Sequence, residues 1–138
     1  SHKESVTDLA LLFPCGVWEQ TAMLRFDADA ASASAVSEQG ADTIQCVSID
    51  DALQGFAPTL IKMDIEGAEH KALKGAQQTI RRYAPDLAIC VYHALRHVWE
   101  LPAFVLHLVP EYRLYLRTYG AAGTETVMYA TTKTRAQV

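Results

Sequence analysis

The stretch Thr59 to Tyr83, TLIKMDIEGAEHKALKGAQQTIRRY, decides the fold. It opens on an apolar run, Leu60, Ile61, Met63 and Ile65, interrupted by Lys62 and Asp64, and passes through Glu66-Gly67. Apolar residues then recur at helical intervals, at Ala68, Ala72, Leu73, Ala76, Ile80 and Tyr83, with Glu69, His70, Lys71 and Lys74 assigned to the opposite side. The pattern predicts a strand, a turn and one helix. Side chains alternate along a strand, so Leu60, Lys62, Asp64 and Glu66 share one face and Ile61, Met63 and Ile65 the other. A strand feeding a crossover helix normally lies in a sheet covered on both sides, where a charge needs a partner or a task. Lys62 is therefore expected to neutralise Asp64 or a neighbouring carboxylate. Ligands of open α/β sheets sit beyond the carboxyl ends of the strands, which is where Asp64 and Glu66 fall. The competing reading is structural: Asp64, Glu66 and Glu69 as caps of the helix start, with Gly67 easing the turn.

Downstream, Ala84-Pro85 ends the helix and Leu87 to Tyr92, LAICVY, reads as a second strand closed by His93. Leu95 to Val109 predicts a helix with Val98, Leu101, Val105, Leu108 and Val109 inward, and Pro102 in a first turn if the helix proper starts near Trp99. Tyr112 to Tyr119 alternates well and Glu125 to Thr131 returns as its hairpin partner. Upstream, the apolar end of KESVTDLALLF, Leu9 to Phe13, reads as a strand stopped by Pro14. Ala22 to Phe26 and Thr43 to Val47 are further strands, Asp27 to Asp42 a mobile loop, and Ser48 to Asp51 the cap of a short helical turn. The expected fold class is α/β, a single domain over residues 1–138 that forms the second half of a doubly wound sheet with a C-terminal antiparallel hairpin. Residues 1–8 and 133–138 are expected to fray.

Half of the 138 residues are hydrophobic, enough for a real core, and the net charge of -4 excludes the basic footprint that nucleic-acid binding needs. Cys15, Cys46 and Cys90 are odd in number and far apart, which fits neither a disulfide framework nor a zinc motif. No apolar run is long enough to span a membrane and no signal-peptide pattern is present, so a cytoplasmic setting is the expectation. The seven glycines nowhere give the G-x-G spacing after a strand that lets a backbone close around a cofactor. No serine sits in a G-x-S-x-G turn, which leaves a hydrolase without support.

Three segments carry a family likeness: IKMDIEGAEHKALKGAQQTI, then YAPDLAICVYHALRHVWELP, then YRLYLRTY with ETVMYA. Together they resemble the C-terminal half of the FkbM-type methyltransferases, and LLFPCGVW and CVSIDDAL are similar to weaker segments that precede it there. The most specific signature is the D-x-E-G-x-E run at Asp64 to Glu69. The resemblance implies a Rossmann-like sheet, S-adenosylmethionine as cofactor, and methyl transfer to a hydroxyl oxygen of a small-molecule or sugar-like acceptor. It also implies that the glycine-rich loop holding the cofactor would lie upstream of these residues, so the chain alone is expected to be inactive.

Oxygen methylation needs an aligned acceptor and a group that removes its proton. Asp64 and Glu66 are the first candidates and His93, at the end of the next strand, the second, because imidazole exchanges protons near neutral pH. Against this, His93 could simply hydrogen-bond the backbone at a strand end. No metal is expected: a strand-helix boundary separates His93 from His97, and Asp64 with Glu66 supply too few ligands. Trp18 and Trp99 could line an acceptor pocket or belong to the core. Without a neighbour on its far side, the Leu60 strand would leave a bare edge. A missing N-terminal half, a second copy in a homo-oligomer, or the Leu9 to Phe13 strand is expected to cover it. The rival to an enzyme is a non-catalytic module that binds a partner through that edge.

Overall fold

The computed structural model describes residues 10–27, 35–36 and 42–134. The expected fraying of residues 1–8, most of the loop expected between Asp27 and Asp42, and the last four residues of the tail fall outside them. The chain runs through β1 (Gly16–Val17), β2 (Ala22–Asp27), β3 (Ala35–Val36), β4 (Asp42–Val47), α1 (Ile49–Ala52) and β5 (Leu60–Met63). It continues through α2 (Glu69–Lys74), α3 (Gln77–Tyr83), β6 (Asp86–Cys90), α4 (His97–Leu108), β7 (Arg113–Thr118) and β8 (Thr126–Thr131). Two mixed sheets result, ordered β1-β4-β2-β3 and β5-β6-β8-β7.

The second sheet is the one the sequence describes. β5 and β6 pair in parallel with Ile61 opposite Leu87 and Met63 opposite Ile89, joined by the α2 and α3 crossover. β8 then runs antiparallel to both β6 and β7, closing with the expected hairpin. Alternation places Ile61 and Met63 inward, where they meet Leu73, Ala76 and Ile80 of the helices and Leu87, Ile89, Leu101, Val105 and Met128. Each such aliphatic side chain contributes roughly 1.5–3 kcal/mol by leaving water. Tyr112, buried at the foot of the hairpin, donates its hydroxyl to the Pro85 carbonyl at 2.5 Å, and burial pushes its pKa up to about 12. The described helices include none long and apolar enough to cross a membrane.

Several expectations are corrected. The helix from Ala68 to Tyr83 is two helices, broken at Gly75-Ala76. A Cβ on Gly75 would strike the Trp18 carbonyl oxygen and come within 3.1 Å of Glu19 Cα and Ser48 Cβ, so the break lets the β1–β2 connection lie against the helix. α1 fastens the same junction: Ser48 caps it as expected, accepting from Asp51 N–H at 3.1 Å. Asp50 donates its N–H to the Gly75 carbonyl at 2.8 Å, and its carboxylate accepts from the N–H groups of Gln78 and Thr79 at 3.1 and 2.8 Å. α3 therefore borrows its cap from a distant helix.

The outer face of β5 is open to solvent rather than covered, with Leu60 57% exposed and Lys62 exposed beside it. Lys62 has no ion-pair partner among the described residues, so the expected pairing with Asp64 fails: a solvated ammonium needs none. Pro102 is the sixth residue of α4 rather than part of its first turn, and Val98 points outward. Leu11, Leu12 and Phe13 form no strand and are exposed, so this described part of the segment does not cover β5. β5 is an edge strand, and no described strand pairs with its far side. Ala35 and Val36, expected in a loop, pair with β2 as β3.

Candidate active site

Beyond Met63 the chain leaves the sheet through Asp64 and Ile65 and reverses at Glu66-Gly67, where both residues adopt left-handed backbone, φ 54° and 96°. Glycine tolerates this conformation; a glutamate there is strained by roughly 1–2 kcal/mol. The reversal directs both carboxylates toward His93, which follows β6. His93 Nε2 lies 3.4 Å from Asp64 Oδ1 and 3.7 Å from Glu66 Oε2, and its side chain is only 8% exposed while the two acids are 43% and 59% exposed. The three sequence candidates are thus brought together at the carboxyl ends of adjacent parallel strands. Neither Asp64 nor Glu66 caps α2, whose start at Ala68 has no side-chain cap. The structural reading of these two acids therefore fails.

The residue behind them is Glu69. The sequence reading set it on the polar side of the helix as a dipole partner, yet it is fully buried. Its Oε1 accepts the Ile65 N–H at 3.1 Å and the His93 Nδ1–H at 2.7 Å, while Oε2 faces His97 Nδ1 at 3.5 Å. A carboxylate only accepts, so the proton of the short bond sits on Nδ1 and the neutral His93 ring carries its lone pair on Nε2. The signal for Glu69 was available: it lies three and four residues before Ala72 and Leu73, on the buried stripe. Tyr92, not singled out in the sequence, donates its hydroxyl to Asp64 Oδ1 at 3.3 Å, and desolvation followed by Asp64 holds its pKa up. Burial, aided by Asp64, raises the neighbouring Cys90 thiol to about 11, which keeps it protonated and inert.

Next to Glu66 opens a cleft of about 620 Å³ between the two sheets, lined by Val17, Trp18 and Ile44 on one side and Ile65, Gly67 and Lys71 on the other. Trp18 thus serves the cleft wall, with Lys71 Nζ 5.5 Å from the centre of its ring, whereas Trp99 is exposed. Lys71 is also held by Glu19 at 2.7 Å, and this bond lowers the Glu19 pKa. The walls are mostly apolar, Lys71 and Arg96 add positive charge, and Glu66 is the member of the cluster that lines the cleft.

The methyltransferase FkbM domain model matches residues 7–121. The chain belongs to the FkbM methyltransferase family. It is also similar to the solved structure of methyltransferase FkbM from Methylobacillus flagellatus KT, at 33% identity and a TM-score of 0.71 over 87% of this chain. The match spans 28% of that protein's length. No curated protein matches the chain. Family membership and the structural match establish the α/β, partial Rossmann-like architecture; methyl transfer is the chemistry that the family's name states.

The buried pair behind the site predicts a pH effect. Burial holds the His97 pKa below its ordinary 6.5, reinforced by Arg96 and His70 and opposed by Glu69 and Glu100. The unfolded ring takes up a proton below pH 6.5 while the folded ring resists it. Stability is then fully present above that pH and falls as pH drops below it, by at most ~1.4 kcal/mol per pH unit. Urea denaturation across this window should show the decline, and His97→Gln should flatten it; an unchanged slope would remove His97 as its source. His70, also lowered by burial, contributes in the same direction and remains in the variant.

Proposed function

We propose that this chain forms the acceptor side of a methyltransferase acting on a hydroxyl oxygen of a small-molecule or sugar-like compound. The observation that carries the reading is the convergence of Asp64, Glu66 and His93 beside a largely apolar cleft whose lining includes Glu66, with Nε2 left as an acceptor by the Glu69 bond. In this reading the acceptor's carbon frame lies in the cleft and its hydroxyl hydrogen-bonds to Asp64 or Glu66. The hydroxyl proton passes to His93 Nε2, and the oxygen lone pair becomes free to attack. Glu69 stabilises the imidazolium that forms, as an orienting carboxylate does.

S-adenosylmethionine, the donor the family implies, supplies an electrophilic methyl carbon when bound. The described residues do not fit it: they contain no glycine-rich turn after a strand, and none of their strands pairs with the far side of β5. The chain's own share of the reaction is therefore confined to the acceptor. A donor-binding segment on further polypeptide, or a second copy of this chain, is the partner this edge fits. Neither nucleic-acid binding nor membrane attachment enters the proposal.

Two measurements test it. Titration of the chain with sugars and other small alcohols, followed by NMR of the histidine rings, should perturb His93 selectively and lose that response in Asp64→Asn. Isotope-labelled methyl transfer in the assembled enzyme should yield a methyl ether, with His93→Gln lowering kcat at least about a hundredfold. An N-methyl product, or a His93→Gln variant as fast as the parent, sinks the reading. Absence of any response at His93 to hydroxyl compounds favours the module that binds a partner through the β5 edge.

A further inference from the structure

His93 Nε2 is buried and has no hydrogen-bond partner among the described residues. With Nδ1–H committed to Glu69, Nε2 presents a lone pair, and its neighbours at 3.4 and 3.7 Å are carboxylate oxygens, which present lone pairs too. One donor atom from each of Asp64, Glu66 and His93 lies within 4.8 Å of the other two. Tyr92 supplies a donor to Asp64, but none reaches Nε2. Such a group of acceptors around a common point repels itself unless something positive lies between them. A shared proton shortens an imidazole-carboxylate contact to about 2.7–2.9 Å, less than either separation. A cation bound at roughly 2.1–2.5 Å, with ligands on adjacent octahedral vertices, sets its donors about 3.0–3.5 Å apart, close to the 3.4 and 3.7 Å between His93 Nε2 and the two carboxylates.

We propose that Asp64, Glu66 and His93 form a three-ligand site for one divalent cation, Mn2+ being the best chemical fit. Carboxylate oxygens suit Mg2+, Ca2+ and Mn2+, whereas an imidazole suits the transition metals, and Mn2+ accepts both. The bond from His93 Nδ1–H to Glu69 is the outer-shell arrangement that fixes a ligating histidine's tautomer and ring plane. The exposed side of the two carboxylates leaves the remaining coordination positions to water or to the oxygens of a hydroxylated acceptor. A hydroxyl held there becomes more acidic and releases its proton to water; Nε2 is then a ligand, and the proton transfer to His93 described above belongs to the cation-free site. The inference deepens the proposed acceptor role and rests on the same residues, but its test needs no turnover. Spacing in the sequence concealed the site, because the two acids follow β5 and the histidine follows β6.

The test is a titration of the 138-residue chain with Mn2+, followed by loss of the free-ion electron paramagnetic resonance signal. One Mn2+ per chain is expected, displaceable by other divalent cations. Asp64→Asn and Glu66→Gln should each weaken binding at least about tenfold; both side chains are substantially exposed, so thermal melting should confirm an intact fold. Glu69→Gln should weaken it by about 10–100-fold through the His93 ring alone. Failure of Mn2+ to bind at millimolar concentration, or binding that Asp64→Asn and Glu66→Gln leave unchanged, overturns the proposal. Mn2+ binding without perturbation of His93 by alcohols would retain the cation and remove the acceptor reading; the reverse would do the opposite.

Discussion

Glu69→Ala is expected to lower stability by about 3–5 kcal/mol, the range for removing one member of a buried, hydrogen-bonded group. The substitution strips the acceptor from the Ile65 N–H and from His93 Nδ1–H, and leaves His97 Nδ1 facing an empty volume, all at a position with no solvent exposure. Water cannot replace those bonds without opening the packing between α2 and α4. The loss also reaches the site, because the Ile65 bond is what holds the end of the strand against the helix start. Chemical denaturation measures the first effect and the NMR signal of the His93 ring the second. Glu69→Gln, which keeps one acceptor oxygen, should lose less. A cost below about 1 kcal/mol for the alanine variant would show that Glu69 is not the hub the distances describe.

Gly75→Ala should cost about 3 kcal/mol, at the upper end of what overpacking does. The added carbon meets the Trp18 carbonyl and Glu19 Cα, and backbone atoms cannot rotate aside as a side-chain tip would. Either the small sheet moves away from the helices or the break between α2 and α3 shifts, weakening the Asp50 bond to the Gly75 carbonyl. Trp18 lines the cleft, so its fluorescence should change together with the melting temperature. A variant as stable as the parent would mean the β1–β2 connection is not seated on the helix as described.

Glu69 and Gly75 mark the limit of what is legible in the sequence. Alternation is strong in β5 and the β7–β8 hairpin, and the apolar run of β6 stands out between turns, so these strands and the hairpin were legible, whereas the open outer face of β5 and the pairing of β6 with β8 were not. At Gly75 the helical pattern continues on both sides, and the break exists because a carbonyl from over fifty residues earlier occupies the space; no local signal carries that. Leu11 to Phe13 look like a strand because they are apolar, yet composition does not say whether a partner is present. Asp64, Glu66 and His93 were legible one by one as strand-end polar residues. Their meeting at one point depends on the parallel register of β5 with β6 and on the reversal at Glu66-Gly67. Glu69 was misassigned although its interval to Ala72 and Leu73 placed it inside, because charge was given more weight than periodicity.

The strained corner at Glu66 has a consequence for anyone who would make this protein hardier. Ranked by backbone comfort alone, glycine or asparagine would replace the acid there, and the chain would gain robustness. The same edit would delete one of the groups facing His93. At this corner, ease of folding and chemical usefulness pull in opposite directions, and the glutamate marks which of the two has been kept.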